Sequence, residues 1–265
     1  MFLLRSMIQL SKMPSMLLST LACLFKPQTM TREELFKNAT GLEEELDCIS
    51  HYDALHQKGM YVNGYEYPLH LYKIGVQRRL QDMADATHPQ VHVLVFDDVK
   101  HNCDASYAGQ EFAKLLRVHS QGAIIVLRIY VKHPRTSPET IPVHLLGSVI
   151  WNMISLVPDE FKTSGGLHRR HFKAFKRRGP DCFERGVRVL SALPRLDLKG
   201  RKLFCIVDGL ELAEDEKILD QVQDLVRALR DVMAWNHGQL VYTFSKESKI
   251  THSIRMLSGC QNLPN

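Results

Sequence analysis

Four short apolar runs alternate with helical patterns from residue 91 onward, and this alternation limits the possible folds more than any other feature. The runs are VHVLVF (91–96), AIIVLRIYV (123–131), KLFCIVDG (202–209) and QLVYTF (239–244). Each is rich in β-branched or aromatic residues and apolar nearly throughout, as in strands buried on both faces. Between and after them lie SYAGQEFAKLLRVHS (106–120), IPVHLLGSVIWNMISLV (141–157), DCFERGVRVLSAL (181–193) and a stretch from about 214 to 235. The last carries Ile218, Val222, Leu225, Val226 and Leu229 in one stripe at helical spacing. Pro142 near the start of 141–157 and Pro158 beyond its end bound a helix. Strands alternating with helices predict an α/β fold with a mostly parallel sheet covered on both sides. Such sheets bind ligands at the carboxyl ends of their strands.

Upstream, residues 30–89 read as an N-terminal helical region. Thr31 and Glu34 have capping-box spacing ahead of Leu35. Residues 1–29 read as a leader: no acid precedes Glu33, while Arg5, Lys12 and Lys26 are basic. That composition resembles a mitochondrial presequence, or more weakly a secretory signal. A disordered or surface-docked leader, or a true start at Met30, fits the same residues. The α/β domain is expected over 90–258, with a tail at 259–265.

The six cysteines are scattered without a CxxC pair, which points to a reducing compartment and away from a disulfide framework. No Cys or His pair has zinc-finger spacing. Neither GxSxG nor HExxH occurs. With 45% hydrophobic and 24% charged residues, the chain has the composition of a globular protein. No apolar run is long and clean enough for a transmembrane helix.

The strand ends are where chemistry is expected. KLFCIVDGLE ends in Asp208, Gly209, Leu210 and Glu211. An aspartate at a strand's carboxyl end suits Mg²⁺, which prefers hard oxygen ligands; an Asp-Gly turn that merely stops a strand has the same sequence. QLVYTFSKESK places Thr243, Ser245 and Lys246 at the end of the next strand, where a nucleotide site would put hydroxyl and basic groups near a terminal phosphate.

KLFCIVDGLELAED, a long helix, and QLVYTFSKESK together resemble the second half of the NTPase core of fungal NACHT-like STAND proteins, which are P-loop signalling ATPases. AIIVLRIYVKHPRTSPETIPVHLLGSVIWNMISLVPDEF resembles the strand and helix that follow the phosphate-binding helix in that family. The similarity covers about residues 91–250. It implies a P-loop-NTPase-like three-layer core, with Asp208 at the Walker B, metal-holding position. Glu211 takes the acid position that polarises water if the site is active. Thr243, Ser245 and Lys246 are then nucleotide-side residues, and ATP with Mg²⁺ the implied cofactors.

The chain departs from the family at the phosphate loop. GxxxxGK[ST] wraps phosphates in backbone N–H groups and adds a lysine and a magnesium-binding hydroxyl. Here that place reads DDVKHNCDASYAGQEFAKLL, with one glycine, Gly109, and the acids Asp97, Asp98 and Asp104. No Gly-Lys dipeptide occurs anywhere in the chain. Little chain follows the fourth strand to supply the family's further helical and winged-helix regions. The expectation is therefore a degenerate, truncated relative that acts as a non-catalytic regulatory or interaction protein, with a protein partner. An atypical Mg-dependent NTPase is the alternative.

A third reading comes from the basic stretch at 162–178. It contains Lys162, Arg169, Arg170, Lys173, Lys176, Arg177 and Arg178, with His168, His171, Phe172 and Phe175 among them. Such a stretch contacts nucleic-acid phosphates, serves as a nuclear-localisation patch, or meets an acidic partner or membrane surface. It equally fits a solvated segment covering the sheet with both phenylalanines inward. The expected location is cytoplasmic, with mitochondrial (from the leader) and nuclear (from the basic stretch) as alternatives.

Overall fold

In the computed structural model, residues 28–42, 82–83, 85–95, 113, 116–117, 120, 124–130, 140–163, 165–177, 179–244 and 246–258 are described. Most of the 30–89 region and of the expected 106–120 helix, all of residues 96–112, and the tail therefore lie outside the described residues. So do Ser245 and Arg178.

The four apolar runs form strands β2 (Val91–Val95), β3 (Ile124–Tyr130), β5 (Lys202–Asp208) and β6 (Gln239–Phe244). They make one four-stranded sheet in the order β2-β6-β5-β3, with all three pairings parallel. Successive side chains of a strand point to opposite faces, and in β5 and β6 both faces are buried. Leu203, Cys205, Val207, Leu240, Tyr242 and Phe244 enter a large core. Phe204, Ile206 and Val241 enter a smaller one with Met83, Ala113 and Leu116. This double burial explains why the strands are apolar nearly throughout rather than at every second position.

Helices α2 (Ile141–Ile154), α4 (Cys182–Ser191) and α5 (Leu219–Trp235) follow the sequence pattern and help build the larger core, and a further helix, α6 (Lys249–Ser258), follows the last strand. Between α2 and α4 lies a short amphipathic helix, α3 (Arg169–Lys176).

The start of α5 differs from the periodicity, which runs back to about residue 214. A short 3-10 turn (Leu210–Ala213) follows β5, and α5 begins only at Leu219. Side chains take over the backbone donors in between. Asp215 Oδ1 accepts from Lys217 N–H at 2.8 Å, and Glu214 Oε1 accepts from Lys249 N–H at 2.9 Å. The Asp215–Lys217 bond is local and competes with helix formation, while the Glu214 bond reaches the start of α6. Ile218 is still buried, just ahead of the helix.

Helix α1 (Arg32–Ala39) has the expected capping box: Thr31 accepts from the Glu34 N–H, and Glu34 accepts from the Thr31 N–H. Just before it, β1 (Gln28–Thr31) pairs antiparallel with β4 (Glu160–Thr163). Residues 28 and 29, read from sequence as the end of the leader, thus form the start of a strand. Neither partner of this ribbon looks like a strand in isolation, because only alternate positions face the core. Leu35 and Ala39 of α1 share the larger core with α2 and α3, and Phe36 meets Trp151 edge-on at 5.2 Å. Among the described residues no helix is long and apolar enough to cross a membrane.

Candidate functional site: a sealed strand-end pair and a basic helix face

After β2 the chain enters the sheet again at its far edge, β3, and then steps back through β5 and β6 to lie beside β2. The direction of progression reverses once, and the carboxyl ends of β2, β6 and β5 flank that reversal. In open α/β sheets this is the ligand-binding crevice.

Asp208 and Thr243 stand there directly opposite each other in the β5–β6 register. Both are fully buried. The Thr243 hydroxyl donates a hydrogen bond to Asp208 Oδ1. By strand alternation both point to the face of Phe204, Ile206 and Val241. Gly209 then turns the chain at φ 77, a left-handed conformation that glycine adopts without strain. Its N–H donates to the Thr243 carbonyl at 3.0 Å, extending the ladder by one bond. This turn carries Glu211 into the 3-10 segment, where it is only 5% exposed.

The structure thus pairs two of the sequence-predicted residues, Asp208 and Thr243, and buries a third, Glu211, in the turn that follows. Lys246 is exposed beyond the strand end, and Ser245 lies outside the described residues. The loop after β6 is tied to the loop after β5 through Lys249, whose Nζ pairs with Glu216 at 3.0 Å.

The donors at this end are hard oxygens, of the kind Mg²⁺ takes. Their arrangement does not fit an octahedral ion that keeps several waters: Asp208 is sealed from solvent and its carboxylate holds the Thr243 hydroxyl. Among the described residues no three His, Cys, Asp or Glu side chains converge on a metal-sized position. The phosphate half does not fit either, since no Gly-Lys dipeptide exists to cradle a triphosphate. No step of nucleotide hydrolysis is derived from this arrangement.

The basic stretch folds as α3 with both phenylalanines inward. Phe172 and Phe175 are buried in the larger core, and His171 beside them is 2% exposed. Arg169, Arg170, Lys173 and Arg177 face outward. Lys176 leaves this face: its Nζ donates to the carbonyls of Asn38, at 2.9 Å, and Thr40, so it closes the C-terminal end of α1. Lys162 is exposed on β4.

Arg185 and Arg188 of α4 join the face, although sequence reasoning had not grouped them with it. Their signal is the polar side of α4, opposite Phe183, Val189 and Leu190. Arg170 Nε points at His171 Nε2 (3.4 Å) while Arg185 Nη1 points at His171 Nδ1 (3.3 Å). Burial, followed by the charges of Arg170, Arg185, Arg188 and His168, holds the His171 pKa below its ordinary value. Asp181 pairs with Arg185 at 2.9 Å, and that bond keeps its carboxyl below the usual carboxylate range.

No family model, no curated protein and no solved structure matches the chain.

Proposed function

We propose that this chain is a non-catalytic regulatory or interaction protein built on a degenerate STAND-type NTPase core. The observation that carries this reading is the sealed Asp208–Thr243 pair at the sheet's reversal point. The strand order supports it: β6 sits between β2, whose end leads into the phosphate-loop position, and β5, which ends in Asp208. In a working P-loop enzyme, magnesium and the phosphates meet between such strand ends. Here the carboxylate holds the Thr243 hydroxyl of the neighbouring strand, and no Gly-Lys dipeptide stands at the phosphate-loop position. The inherited site then acts as a structural lock for the sheet, and the protein works through its surfaces.

Equilibrium binding of ATP and ADP to the full chain, with and without Mg²⁺, tests this beside Asp208→Asn. The reading expects no binding up to about millimolar nucleotide, weaker than any functional nucleotide site. Micromolar, magnesium-dependent binding that Asp208→Asn abolishes without lowering the melting temperature overturns it. The chain would then be an atypical NTPase.

A further inference from the structure

The segment from residue 168 to 191 contains eight Lys and Arg against two Asp and Glu, leaving 26 basic and 27 acidic residues elsewhere. The positive charge of the whole chain is therefore that of α3, α4 and their junction. Helix α3 divides it cleanly, with Phe172 and Phe175 consumed by the core and Arg169, Lys173 and Arg177 outward at i, i+4 and i+8. At 1.5 Å per residue, that stripe places a cation about every 6 Å along one line.

Among the described residues, none of Arg169, Arg170, Lys173, Arg177 and Arg188 pairs with a carboxylate. Arg169 and Arg170 also stand in the first turn of α3, which has no acid, although the helix dipole there disfavours cations. At the centre, two guanidinium groups aim N–H donors at the two nitrogens of one buried imidazole. A neutral imidazole has only one acceptor nitrogen, so one guanidinium is left with a donor and no acceptor. An anion laid across the face would meet guanidinium and ammonium groups that are exposed and not paired with carboxylates.

We propose that the outer face of α3 and α4 binds the phosphate backbone of nucleic acid without sequence specificity. Guanidinium groups outnumber ammonium groups on the face, and their planar fork suits phosphate oxygens. A membrane surface is the poorer partner, because an interfacial helix needs a free apolar side and α3 has buried its own. This inference does not rest on the nucleotide-site reading above.

The test is fluorescence anisotropy of the full chain with a labelled, mixed-sequence single-stranded RNA of about 20 nucleotides, at several salt concentrations. The expected result is binding whose log K falls linearly with log salt, by about 0.7 per phosphate neutralised. Arg169→Gln/Lys173→Gln/Arg177→Gln, three exposed changes checked for an unaltered melting temperature, should lower the slope by about 2. It should weaken binding at ~50 mM salt by about tenfold or more. No RNA binding at low salt, or a triple variant that binds like the wild type, overturns the proposal. Binding to polyglutamate or to phosphatidylserine vesicles in the absence of RNA binding also overturns it, and assigns the face to an acidic protein or a membrane.

Discussion

The Thr243 hydroxyl is hydrogen-bonded to the Asp208 carboxylate across the β5–β6 ladder, with both side chains fully buried. A buried carboxylate needs hydrogen-bond donors, and bonds to a charged acceptor contribute roughly 1.5–3 kcal/mol. Thr243→Val keeps the shape and removes the donor, so it should lower unfolding stability by about that amount in urea titration. Paired with Asp208→Asn in a double-mutant cycle, the two changes should be clearly non-additive. Additive effects would mean that the pair does not lock the strand ends.

Most of the sheet is legible in the sequence, because strands buried on both faces must be apolar nearly throughout. Leu203–Val207 and Leu240–Tyr242 show this directly, and the polar residues Asp208, Gln239 and Thr243 fall at or near the strand ends. The β1–β4 ribbon is not legible, because Glu160–Thr163 has only Phe161 buried and its partner is more than a hundred residues away. The start of α5 misleads for a different reason. Glu214 and Asp215 are good residues for a helix's first turn, but here they bond other backbone donors. At the candidate site, strand spacing alone pairs Asp208 with Thr243 and places Glu211 in the turn that follows. That Lys176 serves the end of α1 is invisible in it, since Asn38 and Thr40 meet Lys176 only through tertiary packing.

Tyr242 presents the opposite case to Thr243. Its ring is fully buried and stacks on Phe244 at 6.4 Å, but its hydroxyl has no hydrogen-bond partner. Burial pushes the phenol pKa well above its ordinary value. Leaving such a group unsatisfied costs about 1–3 kcal/mol, while the ring packing depends only on shape. Tyr242→Phe should therefore stabilise the protein, raising the melting temperature by about 2–4 °C per kcal/mol for a chain of this size. A fall in melting temperature would show that the hydroxyl has a partner after all.

Gly186 lies where α4 packs tightly against α2 and α3. A Cβ there would lie 2.5 Å from Leu146 Cδ2 on α2 and 2.7 Å from Phe175 Cε2 on α3. Neither can withdraw, since both side chains are buried in the same core. Gly186→Ala gains helix propensity but should still destabilise by about 1–3 kcal/mol through overpacking. Gly165→Ala, whose Cβ would meet nothing within 4 Å, is the matched control and should stay within about 0.5 kcal/mol. Chemical denaturation of the two variants separates steric crowding from any general intolerance of the glycine change.

Two histidines make stability depend on pH. Burial holds both His92 and His171 below the ordinary histidine value of 6.5. Gln239 fixes the state of His92: its Nε2 donates to the His88 carbonyl at 2.8 Å, so its Oε1 is the acceptor facing His92 Nε2 at 3.3 Å. His92 therefore carries a proton on Nε2, and its lowered pKa favours the neutral ring. A group whose folded pKa is depressed takes up its proton more readily in the unfolded chain. Its contribution is complete above the unfolded pKa of about 6.5, and is lost as pH falls through the lower folded value. Melting temperature should hold between pH ~8 and ~7 and decline from pH ~6.5 toward ~5. His92→Leu removes one proton uptake and should flatten that decline. His171→Gln should flatten it as well, and because Arg170, Arg185 and Arg188 surround that ring, a bound polyanion should shrink the decline of the wild type but not that of His171→Gln. A wild-type slope unchanged by either substitution would mean that the acid sensitivity comes from carboxylates instead.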